Sequence, residues 1–118
     1  MILVDTSIWV DHLRKGNQRL EKLLMDAQVV CHPFVIGELA CGNIKNRSEI
    51  LSLLQTLPSA FPIDLEEYLY FVKQYELFGI GIGFVDIHLL ASAMLSNAHL
   101  WTADKRLKEA AIKLKIHI

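Results

Sequence analysis

Hydrophobic and polar positions change period several times along the chain, and each change predicts an element. Ile2-Leu3-Val4 is an unbroken aliphatic run that ends abruptly in Asp5-Thr6-Ser7. Three aliphatics without alternation fit a strand buried on both faces, at the centre of a parallel sheet. A residue leaving such a strand lies at the carboxyl edge of the sheet, where open α/β folds build their sites. From Thr6 to Lys15 the spacing becomes helical, with Ile8, Trp9, Asp11, His12 and Leu13 on one mixed face, until Gly16-Asn17 breaks it. Gln18 to Asp26 resumes the helical period through Leu20, Leu23 and Leu24.

Val29-Val30-Cys31 predicts a second short buried strand, closed by His32-Pro33. A proline at the start and Gly42 at the end frame a helix over Phe34 to Cys41. Arg47 to Leu57 carries Ile50, Leu53, Leu54 and Leu57 on one side and stops at Pro58. Phe61-Pro62-Ile63 fits only an edge strand, because proline removes a ladder donor. Asp64 is placed as the N-cap of a helix running to about Phe78, with Leu65, Leu69, Val72 and Leu77 inward. After Gly79-Ile80-Gly81-Ile82-Gly83, the segment Phe84 to Ser96 is apolar nearly all round, which predicts a central helix. His99 to Thr102 reads as a strand, Asp104 to Leu114 as a helix, and Ile116 to Ile118 as a last strand. Short strands alternating with helices predict a three-layer α/β/α sandwich around a parallel sheet of four to five strands, with right-handed crossovers.

Composition narrows the class. The 118 residues form one domain, 1–118, and 53% hydrophobic content fills a core without disulfides. Cys31 and Cys41 form no C-x-x-C pair and read as buried free thiols of a reducing compartment. No apolar run reaches the ~20 residues of a membrane span. The chain opens directly on a core strand with no signal segment, so a cytoplasmic location is expected.

A net charge of −1 argues against nucleic-acid binding, but its distribution argues otherwise. Lys105, Arg106, Lys108, Lys113 and Lys115 cluster near the carboxyl end, and Arg14, Lys15, Arg19 and Lys22 near the amino end. Four acids, Asp5, Glu38, Asp86 and Asp104, sit in unusual company, and removing their charge from −1 leaves +3. Asp86 shares its helical stripe with Leu89, Leu90 and Ala93; Glu38 shares its own with Phe34, Val35, Cys41 and Gly42. Neither has a lysine or arginine at pairing distance, and a carboxylate on an apolar stripe is costly unless paired or bound to a cation. Asp104 follows its strand much as Asp5 follows Ile2-Leu3-Val4, so adjacent strands would bring both into one cleft. Asp5 and Asp104 also suit plain N-caps, and Asp86 could complement a helix dipole.

Four carboxylates in one pocket repel unless a cation holds them ionised. All-oxygen donors select hard ions, Mg²⁺ or Mn²⁺, and the five histidines, expected at the surface or in hydrogen-bonded loops, supply no zinc set. Such a cluster can activate water and neutralise a phosphodiester, with one ion or with two roughly 4 Å apart.

VDTSIWVDHL, the acid in FVIGELACG, GIGFVDIHLLASA and LWTADKRL resemble, in order and spacing, the four motifs of PIN-domain ribonucleases, especially the VapC-type toxins. The resemblance spans essentially the whole chain. It implies a single PIN domain with metal-binding, catalytic carboxylates at Asp5, Glu38, Asp86 and Asp104 and a supporting hydroxyl at Ser7. Thr6 and Thr102 lie beside the acids as further supports, and Ala103 departs from the larger, often basic residue of many relatives. It also implies Mg²⁺- or Mn²⁺-dependent cleavage of transfer or ribosomal RNA, a homodimer and an antitoxin protein whose tail enters the cleft. Arg14, Lys15, Lys105, Arg106 and Lys108 are the candidate phosphate contacts.

Two other classes fit the residues less well. A catalytically silent PIN-like adaptor for protein or RNA would not need all four acids. A haloacid-dehalogenase-like phosphatase wants a second acid where Ser7 stands, and a receiver domain wants an acid pair that Asp5-Thr6 lacks. No glycine precedes Lys-Ser or Lys-Thr, and Phe84 spoils a G-x-G-x-x-G reading of the glycine run. Ile8, Trp9 and the Leu53 to Leu57 region are candidate partner surfaces, with the core as the commoner place for such apolar residues.

Overall fold

The first strand, β1 (Ile2–Val4), lies in the middle of a three-stranded parallel sheet of order β2-β1-β3, in a computed structural model that covers residues 1–118. Seven helices flank the sheet. In chain order the elements after β1 are α1 (Thr6–Lys15), α2 (Gln18–Met25), β2 (Val29–Val30), α3 (Pro33–Cys41), α4 (Arg47–Leu54), α5 (Leu65–Gln74), α6 (Phe84–Leu95), β3 (His99–Trp101) and α7 (Lys105–Lys113). Leu3, Val4 and Leu100 are fully buried, as unalternating aliphatics in a covered parallel sheet must be.

The expected fourth and fifth strands shrink to single parallel bridges, Cys31 with Ser59 and Leu100 with His117, at the two sheet edges. Phe61-Pro62-Ile63 is therefore not a strand. The pairing falls two residues earlier, where Cys31 N donates to Pro58 O and Ala60 N to Cys31 O. Pro62 has no N–H with which to continue it.

α6 is the central helix, with every residue from Ile87 to Ala93 buried. α5 opens with the expected capping box: Asp64 Oδ1 accepts from Glu67 N at 2.8 Å while Glu67 Oε1 accepts from Asp64 N at 3.0 Å. It ends at Gln74 rather than Phe78, and it buries Phe71 with Tyr68, Val72 and Tyr75 packed against the core. Leu65 and Leu69 face outward instead, because the helix phase is set by its aromatics. α4 likewise turns Leu54 in and Leu53 out and stops three residues before Leu57. Ile8 and Trp9, candidates for a partner surface, belong to the core, and Cys41, expected to be buried, is exposed. No helix is long and apolar enough to cross a membrane.

β1 is flanked by β2 on one side and β3 on the other, so the chain reverses its winding between β1 and β3. The carboxyl edge at that reversal is where an α/β sheet leaves a crevice. Asp5 and Thr102 leave the sheet there, one register step beyond the Val4–Trp101 pair.

Candidate active site

The ladder continues into the site itself, since Asp5 N donates to Trp101 O at 2.9 Å. Asp5 is buried, and two hydroxyls converge on one of its oxygens: Ser7 Oγ and Thr102 Oγ1 each donate to Oδ2 at 2.7 Å. Both hydroxyls are themselves anchored. Ser7 Oγ accepts from Ala103 N at 3.0 Å, and Thr102 Oγ1 accepts from Asp104 N at 3.0 Å. With their hydrogens given to Asp5, the 3.4 Å separation between the two hydroxyls is contact rather than a bond. Asp5 Oδ2 is thus saturated, and Oδ1 has no partner in the chain. The side chain of Asp5 does not cap α1, although its residue is the N-cap.

Asp104 does act as a cap, its Oδ1 accepting from Leu107 N at 2.9 Å at the start of α7. Asp86 also caps, its Oδ2 accepting from Gly83 N at 3.2 Å in the first turn of α6. Each bond fixes one carboxylate oxygen and leaves the other uncommitted. The capping and catalytic readings of these acids are therefore compatible. Glu38, on the sixth position of α3, is held by Thr6, whose Oγ1 donates to Oε1 at 2.6 Å. Glu38 is exposed, so the desolvation expected from its apolar neighbours is not incurred; Val35 turns inward, while Cys41 and Gly42 are exposed with it.

The four acids share one electrostatic field. Burial pushes the Asp86 carboxyl above the usual carboxylate range, and the Gly83 amide draws it back. The negative charges of Asp5, Asp104 and Glu38 then push it further up. None of the four pairs with a lysine or arginine; the salt bridges are Lys15–Asp11 and Lys22–Asp26. The N-termini of α1, α6 and α7 carry Asp5, Asp86 and Asp104, and their free amides favour anions. The donor chemistry suits a hard divalent cation. In this arrangement no group of three or more acidic, histidine or cysteine side chains is spaced to hold one ion.

The basic residues sort unevenly. Lys15 pairs with Asp11 at 3.3 Å, and Arg19 lies over the Trp101 ring at 4.9 Å. Arg106 leans on the glycine run, its Nη1 3.5 Å from Gly81 O. Gly81 has φ +83°, so the turn favours glycine; a Cβ there would meet only the mobile end of the exposed Arg106 side chain, which can move aside. Arg14, Lys105 and Lys108 are exposed and make no bond within the chain.

Sequence reasoning missed the support behind the acids. His32 and His88 are buried rather than superficial. His32 Nδ1 accepts from Phe34 N at 2.9 Å and so caps α3, while Nε2 meets Ser92 Oγ of α6 at 3.0 Å. This one ring ties the helix of Glu38 to the helix of Asp86. Its position just before Pro33, at the first turn of a helix, was the available signal. His88 is enclosed by Phe34, Tyr68 and Phe84 with ring centroids 4.5–4.7 Å away, and its Nδ1 has no partner.

A family profile described as PIN domain matches residues 2–113. Ribonuclease VapC32 of Mycobacterium tuberculosis is 50% identical over 111 residues, which cover 93% of this chain and 90% of that protein. Ribonuclease VapC1 of Methanocaldococcus jannaschii is 31% identical over 121 residues, covering 96% of this chain and 85% of its own. In three dimensions the chain is similar to PAE2754 from Pyrobaculum aerophilum, with a TM-score of 0.61 over 92% of this chain and 78% of that one. At 18% identity that likeness speaks for the fold alone.

Proposed function

The chain belongs to the PIN-domain family, among its VapC-type ribonucleases, and from that footing we propose that it is a Mg²⁺- or Mn²⁺-dependent endoribonuclease, the toxin of a toxin–antitoxin pair. The observation that carries the reading is the mutual field of Asp5, Glu38, Asp86 and Asp104, four acids with no basic partner at the carboxyl edge. Asp5, Asp86 and Asp104 are the expected principal ligands, and Glu38 completes the set or positions water. A bound divalent ion would supply charge neutralisation at the phosphodiester and lower the pKa of a water on it, with Asp5, Asp86, Asp104 and Glu38 as the residues that would hold it.

The chain's own groups prepare that site. Ser7 and Thr102 lock Asp5 in one rotamer with Oδ1 available. Thr6 keeps Glu38 at the rim, and the amides of Gly83 and Leu107 orient Asp86 and Asp104. The substrate is structured RNA, a transfer or ribosomal RNA, held at its phosphates by Arg14, Lys15, Lys105 and Lys108 with help from Arg106. The location is cytoplasmic.

A second copy of the chain and an antitoxin are the expected protein partners. The homodimer is assigned to α5, where Leu65, Leu69 and Tyr70 are exposed beside a groove of about 690 Å³ against α6. If two α5 helices crossed antiparallel about a two-fold axis between Leu69 and Tyr70, Glu66 of each would face Lys73 of the other, the self-complementarity such an interface requires.

The experiment is cleavage of total RNA by purified protein in Mg²⁺, in Mn²⁺ and in EDTA, with Asp5→Asn beside it and circular dichroism confirming its fold. Discrete metal-dependent fragments that disappear in the variant are expected. A catalytically silent adaptor for protein or RNA is the second reading. RNA binding without cleavage in any metal would establish that one.

A further inference from the structure

Beside the acid cluster runs a cleft of about 480 Å³ between α1, α3 and the segment that joins α3 to α4. Its α1 wall is a single stripe, Thr6, Val10, Leu13 and Arg14, at helical one-face spacing. Glu38 and Leu39 line it from α3, and Gly42, Asn43, Ile44 and Lys45 line it from the segment that follows. The cleft is polar in a definite direction. Along α1 it begins at the Thr6–Glu38 bond, on the edge of the acid cluster, and ends two helical turns away at Arg14, with Lys45 also in its lining. Eight residues at 1.5 Å each put that end about 12 Å along the helix. Val10, Leu13 and Ile44 give the cleft its apolar lining. Both cations are exposed and neither takes part in a salt bridge, so they are available to a ligand.

A ligand that suits this order of surfaces carries an anion at one end, an apolar plate in the middle and a continuing chain toward the acids. We propose that the cleft seats a nucleotide flanking the scissile phosphate of the RNA substrate, an assignment that rests on the ribonuclease reading above. Arg14 and Lys45 grip its phosphate, the guanidinium by paired N–H donors and the ammonium as a point charge. The base or ribose lies on Val10, Leu13 and Ile44, and Asn43 is within the same cleft to meet a polar edge. The acid at the near end repels phosphate and Arg14 at the far end attracts it. The cleft therefore fixes which way the strand runs past Glu38. A peptide segment rich in arginine would meet Arg14 and Lys45 unfavourably, so the charges favour RNA over a protein tail.

The test uses a short fluorescein-labelled single-stranded RNA of mixed sequence, with anisotropy read over a range of salt. The full chain carries Asp5→Asn so that the probe stays intact. Adding Arg14→Ala with Lys45→Ala is expected to weaken binding about tenfold at moderate salt. Each cation that neutralises a phosphate adds about 0.7 to the slope of log affinity against log salt, so removing both should lower the slope by about 1.4. Val10→Asp, at an exposed position of the apolar lining, should weaken binding as well without disturbing the core. With Asp5 restored, the double variant should raise KM for cleavage and leave kcat nearly unchanged. Unchanged affinity and slope would overturn the cleft assignment while leaving the nuclease intact. Unchanged RNA binding with loss of a co-purifying antitoxin would assign the cleft to protein and overturn it equally. If the parent neither binds nor cuts RNA, the ribonuclease reading fails and the cleft assignment fails with it.

Discussion

Thr102 donates its hydroxyl to Asp5 Oδ2 at 2.7 Å, a bond between residues 97 positions apart that joins the ends of two neighbouring parallel strands. Removing that donor leaves a buried carboxylate with Ser7 alone on the same oxygen. Thr102→Val keeps the shape and is expected to lower cleavage about tenfold. It should also destabilise the fold by about 1–2 kcal/mol, since the variant gives up a hydrogen bond to a charged group. Initial rates and chemical denaturation check the two parts separately.

Divalent metal is expected to raise the melting temperature of the wild-type protein, because a ligand bound only by the native state stabilises it. In EDTA, Asp86→Asn should melt a few degrees above wild type. The amide keeps the acceptor for Gly83 N and removes a charge that its three acidic neighbours repel. Metal should then add little to the variant. Differential scanning in EDTA and in Mn²⁺ measures both effects.

Metal affinity should fall with acidification earlier than an ordinary carboxylate site would predict. A carboxyl must lose its proton to bind a cation, and the Asp86 carboxyl is raised by burial and by the charges around it. Titrating Mn²⁺ at successive pH values gives the curve. A dependence confined to the usual carboxylate range would contradict the crowding of the acids.

His32 gives stability a pH dependence of its own. Burial, with the nearby His88 adding to it, lowers its pKa from 6.5 to about 4. The unfolded chain therefore takes up the proton first. The stability held by neutral His32 is full above the unfolded value and is lost as pH falls from about 6.5 toward 4. The expected loss is about 2 kcal/mol at pH 4, from roughly 1.4 kcal/mol per unit reduced for partial solvation. Urea midpoints at pH 7 and pH 5 should converge in His32→Gln relative to wild type. Ser92→Ala should cost about 1 kcal/mol at pH 7 by stripping Nε2 of its partner.

Leu69→Lys should leave the monomer's stability nearly unchanged, as Leu69 is 59% exposed, and should dissociate the proposed dimer. Light scattering on the eluting peak reads the mass. A dimer that survives the substitution would move the interface away from α5.

Much of this protein is legible along the chain because its signals are local. Ile2-Leu3-Val4 followed by Asp5 announces a buried strand and a carboxylate at its edge. The Asp64 capping box and the all-apolar α6 are decided within a few residues of themselves. The four acids stand out as candidates on local grounds too, Glu38 and Asp86 on apolar stripes and Asp5 and Asp104 at the ends of strands. What the chain could not say alone is set by which surfaces meet across the fold. Glu38 looks buried by its helical stripe, yet it stands exposed under the hydroxyl of Thr6. Leu65 and Leu69 look inward by spacing, but Phe71 and Tyr75 set the helix phase by burying larger rings. His32 is placed as a helix cap by Pro33, but it becomes the brace between α3 and α6 only when Ser92 arrives from 60 residues away. Composition and period fix what each segment does with its own backbone and its nearest turns. Only tertiary packing decides which polar group finds a partner, because each such bond needs a second surface that the local sequence does not contain.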